Sequence, residues 1–157
     1  METVSRDSRR SRRRGATVLA AALAAALVAA GCGSPSASQV YTKKLETTCA
    51  RYVSTAAATT GDPLAQVRQL VHDLDVLLPK LAALQPTPDT RARSRTLLAE
   101  MKQLRAIEAV VYTDLAKGDQ RNFAALERRY ERIAAELHTT AAALGTPSCS
   151  KAANPRD

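Results

Sequence analysis

The chain has 157 residues and a formal net charge of +8, from 23 lysines and arginines against 15 aspartates and glutamates. Half of this excess lies in residues 1–31, which hold six arginines and two acidic residues, so the other 126 residues carry a net charge of +4. These 126 residues have no basic clusters interleaved with aromatic residues, which argues against a nucleic-acid partner. Their number is enough for one ordinary domain with a modest core.

An uncharged apolar run covers residues 16–30 and follows six arginines. A helix needs about 20 apolar residues to cross the hydrocarbon core, so a run of 15 has the length of a signal peptide. Positive residues before such a run hold the N-terminus in the cytoplasm, and small residues after it precede a cleavage site. The order predicts export, and the adjacent Arg9 and Arg10 leave twin-arginine export open beside the general secretory route.

The end of the run, Ala29-Ala30-Gly31-Cys32, resembles the lipobox of bacterial lipoproteins, in which small or aliphatic residues precede a cysteine. That family most often has Leu where this chain has Ala29. The resemblance implies cleavage of a signal peptide at 1–31 and attachment of diacylglycerol to the Cys32 thiol. An ordinary secretory signal cut after an Ala-x-Ala site and an uncleaved N-terminal anchor are the two alternatives.

Residues 32–38 are predicted to form the lipidated cysteine and a small, polar, flexible tether. Beyond it, a composition dominated by Ala and Leu, with 3% aromatic residues, favours helices over strands. Apolar residues recur at helical spacing in four segments. These predict helices over residues 39–60, 63–84, about 87–117 and 120–144.

Helix ends are indicated by capping residues and glycines. Asp62, followed by a proline, and Asp119 are predicted N-caps of the second and fourth helices. Gly118 and Gly145 suit the left-handed position after a helix C-terminus. Pro79 lies inside the second helix, where it predicts a kink.

Four amphipathic helices with short connections favour antiparallel neighbours. The expected fold class is all-α, an antiparallel up-down-up-down four-helix bundle over residues 39–149. The alternative is a three-helix bundle with an irregular N-terminal helix. Residues 150–157 are predicted to be a disordered C-terminal tail.

Cys49 and Cys149 remain once Cys32 is assigned to lipid. Two cysteines outside the cytoplasm favour a disulfide. In an up-down bundle the start of the first helix and the end of the fourth lie together, and a fold-back of roughly 15 Å after Gly145 joins the two cysteines. The alternative is a free Cys49 buried on the apolar face.

No catalytic constellation is present: there is neither a Gly-x-Ser-x-Gly elbow nor a glycine-rich phosphate loop, so we expect neither an enzyme nor a cofactor. His72 and Asp75 are spaced to share a metal ion, but a solvated face with Arg68 is the simpler interpretation, and we predict no metal site. Glu108 lies on an apolar stripe, where it is either a tuned acid or ligand or, as we favour, paired with an arginine at the edge.

The charges of the predicted bundle are unevenly placed. The end nearest the tether collects basic residues, whereas the far end holds Asp62, Asp114 and Asp119. We expect this basic end to face anionic lipid headgroups, with ordinary solvated charge as the alternative. Its predicted members are Lys43, Lys44, Arg91, Arg93 and Arg95.

The mature part resembles the small helical lipoproteins of high-GC Gram-positive bacteria. The resemblance rests on Thr48-Cys49-Ala50-Arg51-Tyr52 early in a helix and on the closing Leu144-Gly145-Thr146-Pro147-Ser148-Cys149. As a group these proteins have no assigned activity. We therefore expect a non-enzymatic interaction module, anchored at the outer face of the cytoplasmic membrane, with an envelope protein as partner. The alternative is a small-molecule or metal carrier or sensor that uses the bundle core.

Overall fold

The computed structural model describes residues 34–56 and 61–154. Within these two ranges the chain forms helices and no strand, which confirms the predicted all-α bundle; its up-down-up-down order stays a prediction. The helices are α1 Ala37–Ala56, α2 Pro63–Ala83, α3 Arg91–Lys117, α4 Phe123–Leu144 and α5 Pro147–Ser150. In this part of the chain, no helix has both the length and the hydropathy that a membrane span requires. The predicted signal peptide 1–31 and Cys32 lie outside the described residues.

Three of the predicted helix ends are found where the sequence places them. The Asp62 side chain accepts a hydrogen bond of 2.9 Å from the Ala65 amide at the start of α2. Gly118 and Gly145 follow α3 and α4 with φ angles of 67° and 69°. Only a residue without Cβ adopts this left-handed conformation without strain, so both glycines end their helices as predicted.

The predicted N-cap of α4 is wrong. Asp119 accepts hydrogen bonds from the amide and the guanidinium of Arg121, in a turn that precedes the helix. The helix begins at Phe123, and Asn122 stands at the cap position with no side-chain hydrogen bond. Asp119 therefore stabilises a local turn and does not cap α4. Short acidic side chains bond the backbone in turns as readily as they cap helices.

Each long helix buries one stripe of side chains in a common core. On α1 the stripe at helical spacing is buried in full: Tyr41, Leu45, Cys49, Tyr52 and Ala56. In α2, Leu77 is buried, whereas the neighbouring Leu78 is only partly buried. Burial weakens toward the end at which α2 and α4 begin: Leu126 of α4, for example, is half-buried. The densest packing therefore lies in the half of the bundle that contains α5.

The C-terminal segment differs from the predicted disordered tail. After α5, Ala152 and Ala153 are 2% and 6% exposed, and the Tyr130 hydroxyl of α4 donates to the Ala153 carbonyl oxygen. Small side chains at these two positions let the backbone approach the helices closely. Residues 151–154 thus continue the packed unit, while residues 155–157 lie outside the described residues.

Candidate functional site

The two cysteines of the helical unit form a disulfide, as predicted. The Cys49 and Cys149 sulfur atoms are 2.08 Å apart, their Cα atoms are 4.9 Å apart, and both residues are fully buried. Cys149 reaches α1 because Gly145 turns the chain back and α5 then lies against α1. The bond closes a loop across 100 residues of sequence and ties the C-terminal segment to the first helix.

A second link, which sequence reasoning missed, lies beside the disulfide. The Glu46 carboxylate accepts hydrogen bonds from the Ser148 amide, at 3.2 and 3.0 Å, and from the Ser148 hydroxyl. A carboxylate is the stronger acceptor because its charge assists the bond. The short helix α5 is therefore attached to α1 by one covalent bond and one charged acceptor.

The basic residues predicted to lie at one end of the bundle are exposed. Hydrogen bonds at that end hold the starts of α1 and α3, which carry these residues, next to each other. Ser38, at the start of α1, donates to the Asp89 carboxylate at 2.6 Å, and its hydroxyl lies 3.2 Å from that of Thr87. The turn before α3 is thereby held next to the start of α1. All five predicted members of the basic end are solvent-exposed: Lys43, Lys44, Arg91, Arg93 and Arg95.

A cleft of about 370 Å³ opens at the same end, between the start of α1 and the connection from α2 to α3. Its walls include the buried ring of Tyr41, the apolar side chain of Leu98, and two of the basic residues, Arg91 and Arg95. An aromatic and aliphatic wall with two guanidinium groups at its edge is suited to an anionic group with an apolar attachment.

The candidate metal pair is not assembled as a site. Asp75 forms a two-pronged ion pair with Arg105 of α3, with N–O distances of 2.8 and 2.9 Å. These hydrogen bonds lower the pKa of the Asp75 carboxyl. Arg105 is 30 residues from Asp75 in sequence, so no local sequence pattern indicates this ion pair. Within residues 34–56 and 61–154, no group of three or more potential metal ligands comes together.

Two carboxylates of α3 are buried. Glu108, which the sequence places on an apolar stripe, is 9% exposed. Glu100, which sequence reasoning missed, is 6% exposed; its Oε1 accepts a 2.9 Å hydrogen bond from Thr140 of α4, and its Oε2 has no partner. Burial raises the pKa of Glu100, and the charge of Glu136 raises it further.

A polar pair that the sequence did not single out lies between α1 and α2. The Tyr52 hydroxyl and the Oδ2 atom of Asp73 are both buried and form no hydrogen bond. Burial raises the pKa of Tyr52, and the negative charge of Asp73 raises it further. A buried polar atom without a partner costs about 1–3 kcal/mol, so these two atoms lower the stability of the packing between α1 and α2.

These two side chains line a cleft of about 540 Å³ between α1 and α2. On α2 the lining residues follow helical spacing along one face, from Asp73 through Val76 and Leu77 to Lys80. Its volume is in the range of small-molecule sites, and its lining is largely apolar with a few polar groups, which is the usual composition of such sites.

Comparison with protein-family models, with curated proteins and with solved structures finds no match to this chain.

Proposed function

We propose that the protein is a lipoprotein held by diacylglycerol on Cys32 at the outer face of the cytoplasmic membrane, where its helical unit acts as a non-enzymatic interaction module for an envelope protein. The observation that carries this proposal is the Cys49–Cys149 disulfide. Structural disulfides form and persist in oxidising compartments outside the cytoplasm. The bond supports export, and the lipobox-like Ala29-Ala30-Gly31-Cys32 supplies the anchor.

The short separation between Cys32 and the first helix favours a unit that lies close to the bilayer. The first residue of α1, Ala37, follows Cys32 by five residues, which span at most about 18 Å when fully extended. The hydrogen bonds of Ser38 hold the turn before α3 at this same end. Arg91, Arg93 and the neighbouring basic residues are therefore within reach of anionic headgroups, each contributing about 1 kcal/mol near the surface.

The anchor is tested by growing cells with a labelled fatty acid and separating membrane and soluble fractions. We expect the wild-type protein and the Cys49→Ala/Cys149→Ala variant to incorporate the label, and Cys32→Ser to lose it and leave the membrane fraction. If Cys32→Ser fractionates like the wild type, the lipid anchor is rejected, although an exported helical module then remains open.

The partner is tested by crosslinking the lipidated protein in native membranes and identifying what it captures. We expect one envelope protein to be recovered with the wild type, and its recovery to fall when the protein is released from the membrane by Cys32→Ser. Equal recovery of many unrelated proteins contradicts a specific interaction module.

A further inference from the structure

The cleft at the basic end, between the start of α1 and the connection from α2 to α3, has both cationic and apolar walls. Arg91 and Arg95 line it from α3, where they lie one turn apart, about 6 Å along the helix axis. Leu84, Pro86 and Leu98 line it too and are only partly buried. Charged groups and apolar surface are therefore both accessible to a ligand in this cleft.

No carboxylate neutralises the two arginines of the cleft. Both are solvent-exposed, and neither forms an ion pair in the part of the chain that the structure describes. The nearest acidic residue in sequence, Asp89, does not line the cleft and accepts hydrogen bonds from the hydroxyls of Ser38 and Thr87. Because like charges one turn apart on a helix repel each other, an anion bound between Arg91 and Arg95 removes an unfavourable interaction.

The donors of the cleft favour a phosphate as this anion. A guanidinium is a planar fork of N–H donors that bonds two oxygens of one phosphate group. Two such groups one turn apart on the same helix face can converge on a single phosphate. The side-chain amide of Gln85, which is exposed and lines the same cleft, offers a further donor.

The apolar wall and the position of the cleft favour a phospholipid over a free phosphate. The volume of about 370 Å³ lies at the small end of the range for ligand sites, so the cleft holds a headgroup and not two acyl chains. A free phosphate has no group that covers Leu84 and Leu98. The cleft also opens beside the start of α1, and Ala37 follows Cys32 by only five residues.

We propose that this cleft binds the headgroup of one anionic phospholipid. The phosphate lies between Arg91 and Arg95, the glycerol region covers Leu84 and Leu98, and the acyl chains remain in the bilayer. The inference rests on the proposed lipid anchor, which brings the cleft to the membrane surface. It adds one saturable site, whereas the proposed function needs only a general attraction between the basic end and anionic headgroups.

The test is native mass spectrometry of the full mature chain, purified in a neutral detergent and titrated with phosphatidylglycerol. We expect one phosphatidylglycerol per chain at saturation, and binding of phosphatidylcholine that is at least about tenfold weaker because its choline group is cationic. Inorganic phosphate at the same concentration should not compete, since it leaves the apolar wall uncovered. Equal binding of the two lipids, or displacement of phosphatidylglycerol by inorganic phosphate, overturns the proposal.

The same spectrum separates failure of the site from failure of the anchor. The mass of the chain without bound phosphatidylglycerol reports whether Cys32 carries diacylglycerol, independently of any lipid in the cleft. A lipidated chain that binds no phosphatidylglycerol therefore rejects the site and leaves the anchor in place.

Variants distinguish a defined site from attraction by net charge. We expect Arg91→Ala/Arg95→Ala to weaken phosphatidylglycerol binding at least about tenfold. Lys44→Ala/Arg93→Ala is the matched control, because it removes the same charge from exposed residues that do not line the cleft, and we expect it to bind as the wild type. Circular dichroism establishes that each variant is folded. If the two folded double variants bind phosphatidylglycerol equally, the proposal is wrong.

Discussion

The disulfide is the strongest single constraint at the scale of individual residues. It links Cys49 to Cys149 across 100 residues of sequence. In the chain-entropy account, closing a loop of that length stabilises the folded state by up to about 4.7 kcal/mol, and total stabilities of domains are about 5–15 kcal/mol. The bond therefore supplies a large share of the stability of a unit with few aromatic residues in its core.

We expect Cys49→Ala/Cys149→Ala to lower the free energy of unfolding by about 2–4.7 kcal/mol, as measured by denaturant titration. The larger end of the range applies if the reduced chain unfolds to a random ensemble. Reductant should lower the stability of the wild type and leave the double variant unchanged. A double variant as stable as the oxidised wild type contradicts the assigned role of the bond.

Glu100 makes the free energy of unfolding depend on pH. Its buried carboxyl has a raised pKa, so the folded state holds a proton that the unfolded state has already released. The resulting destabilisation is absent below the ordinary glutamate pKa, grows as pH rises from that value to the folded-state pKa, and is constant above it. Ionised Glu100 therefore weakens the fold at neutral pH.

We expect Glu100→Gln, which retains an acceptor for Thr140, to reduce this penalty. Relative to the wild type, its free energy of unfolding should increase between pH 4 and pH 7, as measured by denaturant titrations across that range. Glu136→Gln is the control for removing one charge from the exposed surface nearby. A Glu100→Gln variant whose stability relative to the wild type is independent of pH rules out this assignment.

At the scale of elements, α1 is held chiefly by α2 and by the returning C-terminal segment. The disulfide and the hydrogen bonds accepted by Glu46 attach α5 to α1. The Tyr130 hydroxyl of α4 donates a hydrogen bond to the Ala153 carbonyl oxygen. Residues 146–154 therefore connect the first helix to the fourth. Residues 150–154, which were predicted to belong to a tail, are therefore part of a fifth packing element.

We expect a truncation after Lys151 to lower the free energy of unfolding by about 1–3 kcal/mol, because it removes two buried alanines and leaves the Tyr130 hydroxyl without its acceptor. Truncation after Asn154 is the matched control, because it keeps Ala152, Ala153 and the acceptor of the Tyr130 hydroxyl, and we expect it to be the more stable of the two truncated chains. Thermal and denaturant unfolding measure the stability of both truncated chains. Equal stability of the two truncated chains would show that Ala152 and Ala153 contribute little.

The helices were predictable because their signals are local. The four-residue and three-residue spacing of the α1 stripe places Tyr41, Leu45 and Cys49 on one face, and the structure buries them. The burial of Ala152 was not predictable, because a short run of small residues has the same composition in a packed segment as in a loose one. The pairing of Asp75 with Arg105 depends on how α2 packs on α3, which no local pattern contains.

Besides the disulfide, only the basic end was predictable from the sequence. Clusters of lysine and arginine are visible in the sequence, so exposed residues such as Lys43 and Arg91 could be named in advance. The cleft between α1 and α2 could not, because Tyr52 is read as a core aromatic and Asp73 as one charge on an exposed face. What distinguishes them is that the Tyr52 hydroxyl and Oδ2 of Asp73 are buried without a hydrogen-bond partner, which depends on how the helices pack.

At the scale of the whole molecule, the proposed lipid anchor makes the placement of charge important, because the basic end would then face the membrane. We expect a form without the signal peptide and with Cys32→Ser to bind vesicles that contain anionic lipid more tightly than neutral vesicles. Replacing Arg91, Arg93 and Arg95 with Ala should weaken this binding by about 1 kcal/mol per residue, and added salt should weaken it too. Sedimentation with vesicles measures the effect.

The matched control removes the same number of charges from the exposed face of α4, as Arg128→Ala/Arg129→Ala/Arg132→Ala. This variant should keep most of the affinity for anionic vesicles. If both triple variants lose binding equally, the attraction reflects net charge alone and the basic end has no preferred orientation.

The central claim is that one cysteine carries lipid and the other two are joined to each other. The most direct measurement is the intact mass of the protein purified from membranes without reductant. We predict the mass of a chain that begins at Cys32, increased by a diacylglycerol group, with any further acylation adding to it, and reduced by the two hydrogens that a Cys49–Cys149 bond removes. A chain that begins elsewhere, lacks the lipid mass or retains two free thiols contradicts the account.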